Sequence, residues 1–165
     1  MRGGPLLFVA AFALGATSCI DPVHDDAVAR LGPEKAGVPE GPTHRPGQPC
    51  LTCHGGDGPG PNWVSAGTVY EVRGDLSRPL VGGLVDLEDY AGKKYTATTN
   101  EVGNWWIEEG QWEPVFPLHV IVYDGGRTNK ATMTSRIGRN GGCGLCHQGA
   151  EATNTTMPAD YLKLR

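Results

Sequence analysis

Leu84-Val85-Asp86-Leu87-Glu88, Lys94-Tyr95-Thr96-Ala97-Thr98-Thr99 and Asn104-Trp105-Trp106-Ile107-Glu108 are three short runs separated by Asp89-Tyr90-Ala91-Gly92 and by Asn100-Glu101-Val102-Gly103. In the first run Leu84, Asp86 and Glu88 alternate with Val85 and Leu87, the period of a strand with one buried face. The neighbouring Trp105 and Trp106 then face opposite ways, one ring inward and one outward. Both breaks are rich in turn formers. Working outward, similar runs occupy residues 66–72, 117–123 and 129–136, the last after Asp124-Gly125-Gly126. The 117–123 run is apolar on both faces and is expected to be central. The expected fold is therefore all-β, an Ig-like sandwich of about six or seven strands over residues 63–138. Six strands joined by hairpin-like connections reverse direction an odd number of times, so the chain should enter and leave at the same end.

What flanks this module carries chemistry. Cys50-Leu51-Thr52-Cys53-His54 precedes it and Cys143-Gly144-Leu145-Cys146-His147 follows it. Two cysteines three apart with a histidine directly after are what covalent attachment of a c-type haem requires. Each thiol forms a thioether to one vinyl group, and the adjacent imidazole falls under the iron. The expected cofactors are two covalently bound haem c, on Cys50, Cys53, Cys143 and Cys146, with His54 and His147 as proximal ligands. If the strands end as expected, the sandwich brings the two haems close enough for direct electron exchange.

Iron bound by one imidazole keeps an open sixth position, and a second histidine or a methionine there favours electron transfer. Of five histidines, His24, His44 and His119 are not proximal, and Met133 and Met157 are the thioether candidates. His44, six residues before Cys50 in His44-Arg45-Pro46-Gly47-Gln48-Pro49, is the leading distal candidate. Met157, before Pro158, and His119, in the fifth strand, are the others carried forward. Met133 is read as packing.

Several stretches resemble known families. Cys50 to Gly60, with Gly55, Gly56, Gly58 and Gly60 after the histidine, resembles the haem segment of c-type cytochromes. Gly67-Thr68-Val69, Pro79 to Leu87 and Thr98 to Trp105 together resemble the carboxypeptidase regulatory-like, transthyretin-type β-sandwich. That resemblance implies a non-catalytic accessory or binding module. Leu14 to Cys19 resembles the lipobox of bacterial lipoproteins, which implies that Cys19 is lipidated and becomes the first residue of the mature chain.

The remaining composition agrees with an exported protein. Residues 1–18 read as a signal peptide, with Arg2 before an apolar run too short to span a bilayer. Residues 19–42, with prolines at 22, 33, 39 and 42, read as a Pro/Gly-rich lipid-anchored tether, helical at most over Asp25 to Leu31. Residues 43–62 form the first haem segment, and 139–165 the second with a tail. Lipid on Cys19 and thioethers on the other four account for all five cysteines. With a net charge of −4 and both signs interspersed, no nucleic-acid footprint is present.

These features predict a membrane-anchored electron carrier of the bacterial envelope, on its periplasmic or outer-membrane side. Its partners would be redox proteins, and it would not be an enzyme. The alternative is an envelope binding module whose four thiols, those of Cys50, Cys53, Cys143 and Cys146, meet in one tetrahedral zinc site. A small dihaem peroxidase would need a haem with an open iron position and a shaped distal pocket.

Overall fold

The structure is a computed structural model that describes residues 21–34, 36–56, 58–72 and 75–147. The signal peptide, Cys19 and Met157 lie outside the described residues. Among the described residues there are seven strands: β1 (Trp63–Thr68), β2 (Leu84–Glu88), β3 (Lys94–Thr98), β4 (Asn104–Glu108), β5 (His119–Tyr123), β6 (Lys130–Thr132) and β7 (Gly141–Gly142). They form a three-stranded sheet in the order β4-β1-β7 and a four-stranded sheet in the order β3-β2-β5-β6. The chain is β-rich, as expected.

Alternation sets the core. Val85 and Leu87 of β2, Ala97 of β3, Trp105 and Ile107 of β4, and Val120 and Val122 of β5 are buried in one cluster fed by both sheets. β5, read as central, does lie between β2 and β6. Its other face carries His119, Ile121 and Tyr123, which are half-buried. Between β2 and β3 the buried Asp89 accepts N–H bonds from Lys93 at 2.8 Å and Val115 at 3.0 Å. Those bonds hold its carboxyl below the usual range, the Val115 bond most strongly.

β2 and β4 coincide with their expected spans; β3 ends one residue sooner, at Thr98, β5 begins two residues later, at His119, and three other elements differ further. β1 starts earlier, at Trp63, and stops at Thr68, because Val69 turns away to bond Gly103 and Leu80. β6 is shorter than expected. β7 comes from Gly141-Gly142, a pair without side chains and so without a period to read; it pairs in parallel with β1 through Ser65 and Ala66.

Part of the stretch read as an extended tether is a helix, α1 (Pro22–Arg30). Asp21 caps it by accepting from the Val23 and His24 N–H groups, and Pro22 sits in the first turn where its missing N–H costs nothing. α1 packs against a second, four-residue helix, α2 (Leu51–His54). Arg45 fastens the connection, donating to Glu34, to Gln48 and to the carbonyls of Leu31 and Gly32. No described helix is long and apolar enough to cross a membrane.

Candidate haem sites

The first site is built on the outer face of the three-stranded sheet. Residues 44–54 run back along β1, so that Gly47 donates to Thr68 Oγ1 at 2.8 Å while His54 reaches Trp63 at the far end. Asn104 holds the start of this segment, its Nδ2 donating to the carbonyls of Pro42 at 3.2 Å and His44 at 3.1 Å. Cys50, Cys53 and His54 then fall on one turn, with His54 N–H bonded to the Cys50 carbonyl at 2.9 Å. After the motif the chain doubles back, and Gly60 donates to the Cys53 carbonyl at 2.9 Å. There is no room for a side chain at Gly60: a Cβ would lie 2.5 Å from Cε1 and Nδ1 of His54.

The His54 imidazole is presented in the ligand form. His54 is 8% exposed, and its Nδ1 lies 2.9 Å from the Pro61 carbonyl. A carbonyl only accepts, so Nδ1 carries the hydrogen and Nε2 the free lone pair. Burial lowers the pKa of His54; the Pro61 bond opposes this, and nearby His44 lowers it further. His44 meets both backbone groups of Gly41: its Nδ1 lies against the carbonyl and accepts from the N–H at 3.3 Å. The two ring centroids are 5.8 Å apart, with 44° between planes. No hydrogen bond engages either Nε2 among the described residues.

His44, His54, Cys50 and Cys53 all line one cavity of about 550 Å³, walled on the sheet side by Trp63 and Trp106. That volume is in the range that encloses a cofactor. Two thiols, the Nε2 lone pair of His54, a second imidazole and an aromatic wall around one space fit a haem. Burial pushes the Cys50 thiol up to about 11, so it is held protonated.

The second motif has the same donors in a tighter setting. β7 delivers Cys143 into a single 3₁₀ turn, Cys143–Leu145, with His147 N–H bonded to the Cys143 carbonyl at 2.8 Å. Cys143 lies against β1, where a Cβ on Gly67 would sit 2.7 Å from its Cβ. Burial pushes its thiol up to about 12, with Cys50 and Cys146 adding to the rise. Cys146 is exposed. His147, its pKa lowered by burial, shares a cavity of about 40 Å³ with Met133, Val122 and Trp105. That space holds a water molecule or so. Here the donor set matches a haem and the cavity among the described residues does not accommodate one.

The two motifs are neighbours. A Cβ on Gly144 would lie 2.7 Å from the Gln48 carbonyl oxygen and the Pro49 Cα, and one on Gly142 would lie 3.4 Å from Leu51. The expected reason for this proximity is corrected, because β7 runs parallel to β1 and by itself would lead away from the start of the sheet. The motifs meet because residues 44–54 run back along β1 from its Thr68 end, which leaves Gln48 and Pro49 where Cys143 and Gly144 emerge.

Other candidates sit elsewhere. His119 opens β5 opposite Glu88, on the outer face of the four-stranded sheet, and lines neither cavity, so it is not placed to serve either motif. His24 lies on α1 with Nε2 buried and without a hydrogen-bond partner. Among the described residues no three His, Cys, Asp or Glu side chains gather as a metal site, so the alternative of a zinc ion held by four cysteines gains no geometric support. The roles of Trp63 and Pro61 were missed from the sequence. Pro61's role is that of a backbone carbonyl, which no side-chain pattern signals, whereas an aromatic directly after the glycine-rich turn was a usable sign. No family model, curated protein or solved structure matches the chain.

Proposed function

We propose that the chain is an exported, lipid-anchored dihaem c-type cytochrome that carries single electrons between redox proteins of the bacterial envelope, with no catalytic reaction of its own. Its β module is then a transthyretin-type sandwich serving as a rigid mount. The observation that carries the reading is the convergence of Cys50, Cys53, His54 and His44 on one cavity, with the His54 imidazole turned by the Pro61 carbonyl to offer Nε2.

Bound haem supplies an iron that alternates between ferric and ferrous states. The cysteine thiols would hold the group by thioethers, each S–H adding across a vinyl group with sulfur to one carbon and hydrogen to the other, which needs no oxidant. Cys50 and Cys53 would hold the haem through their thiols, while His54 and His44, which line the same cavity, would supply imidazoles to its iron and leave no position for exchangeable ligands. Trp63 and Trp106 keep water from the sheet side. At the second motif Cys143, Cys146 and His147 carry the donor set a second haem would use, although the space of about 40 Å³ beside His147 would have to open to admit one; contact between the motifs would then favour electron passage between the two haems.

Carbon monoxide binding tests the first site. Native ferrous protein should leave the first haem unreactive, and His44→Ala should open it to carbon monoxide with a high-spin ferric spectrum. Ready binding at both haems in the native protein, unaltered by H44A, would overturn the carrier reading in favour of an open-site enzyme.

A further inference from the structure

Trp63 owes its position to an irregularity in the sheet. β1 and β4 keep regular antiparallel register from Ser65↔Ile107 to Thr68↔Asn104, and the register shifts between Trp63 and Ser65. Strict alternation would send Trp63 to the face of Ser65 and the buried Ile107. The extra residue, Val64, pairs Trp63 with Glu108 instead, which puts the indole on the outer face with Trp106. A bulge of this kind re-aims a side chain beside a site.

The re-aimed indole lies flat on the His54 imidazole, with 3.6 Å between centroids and 5° between planes. It also stacks on Trp106 at 5.3 Å and 18°. The Nδ1 bond to Pro61 fixes which nitrogen of His54 faces the cavity, but a single in-plane bond leaves the ring free to rock about it. A flat aromatic face removes that freedom. The same contact takes water off one side of the ring.

Resting on the haem reading above, we propose that Trp63 is a positioning residue for the first haem: by stacking on His54 it fixes the plane of the proximal imidazole relative to His44 and shields that ligand from water. Two properties follow. The relative orientation of the His44 and His54 rings, whose planes are 44° apart in the structure, would set the ferric electron paramagnetic resonance spectrum once both bind the iron. Dry surroundings disfavour the more highly charged ferric state, so the indole raises the reduction potential.

The test uses holoprotein from a host that attaches c-type haem, with Trp63→Met, Trp63→Leu and Trp63→Phe compared by intact mass, ferric resonance spectrum and potentiometric titration. W63M and W63L should retain both haems while shifting the g values and lowering the midpoint of one haem, the other remaining native. W63F, which keeps a smaller ring on His54, should shift both properties in the same sense but less. Native g values and midpoints in W63M or W63L would overturn the proposal. So would loss of folding in both accompanied by native values in W63F, since Trp63 would then merely fill space. Absence of haem from the unsubstituted protein would instead refute the cytochrome reading itself.

Discussion

Gly60→Ala separates the geometry of the first site from general backbone strain. A methyl group there would stand 2.5 Å from Cε1 and Nδ1 of His54, whereas non-bonded carbons settle at about 3.5–4.0 Å. The imidazole or the Gly60 backbone must therefore yield by roughly 1 Å, and the bond from Nδ1 to Pro61 is the first to suffer. Overpacking of this kind costs about 1–3 kcal/mol, and a lost hydrogen bond about 1 kcal/mol more. For a chain of this length each kcal/mol is about 2–4 °C in Tm, so the drop should be roughly 5–15 °C. Gly56→Ala is the matched control. Gly56 has φ of +58° with nothing within 4 Å of its Cβ position, so alanine there costs about 1–2 kcal/mol of left-handed strain and leaves His54 untouched. Thermal unfolding and the ferric visible spectrum should both be recorded on holoprotein. Both variants should lose stability, and G60A alone should gain high-spin character at one haem. A native spectrum in G60A, or the same spectral change in G56A, would refute the reasoning.

Three further outcomes are expected. Replacing Cys50 and Cys53 together by alanine should remove one haem by intact mass, and replacing Cys143 and Cys146 should remove the other; loss of both haems from either pair would contradict two independent attachments. Gly144→Ala would drive a methyl to 2.7 Å from the Gln48 carbonyl and the Pro49 backbone, so it should cost about 1–3 kcal/mol and slow electron exchange between the haems; unchanged exchange, read by flash photolysis, would count against motif contact as the route. Asp89 has a lowered pKa in the folded state, chiefly through the Val115 N–H bond. The stability it contributes is complete above its unfolded value of about 3.9 and disappears as pH falls through the folded one. Denaturant unfolding of Asp89→Asn should thus show a flatter fall below about pH 4 than the parent, and parallel curves would dismiss the Asp89 contribution.

The strands were legible where alternation and turn chemistry agreed. Val85 and Leu87 on β2 and the Asn100 to Gly103 turn before β4 point to the same register from either side. β7 was not legible, since Gly141-Gly142 has no side-chain period and is held by the Ser65 hydroxyl, which donates to the Gly141 carbonyl at 2.8 Å. The helix Pro22–Arg30 was hidden behind the proline count of its neighbourhood, although Asp21-Pro22 is itself a start signal. At the site, the cysteines and the histidines that follow them are a contiguous pattern and could be read directly. His44 could be nominated, but its assignment to the first motif needed the fold-back along β1, which depends on Thr68 and Asn104 far along the chain. Trp63 depended on a bulge, and a one-residue register shift leaves no mark in composition or periodicity.

Whether porphyrin is covalently held at both motifs is decided most directly by the intact mass of the purified chain from a host equipped to attach c-type haem. The account predicts an increase equal to two haems, accompanied by the visible bands of low-spin haem. A mass without either addition, or with a single zinc ion in their place, would contradict it.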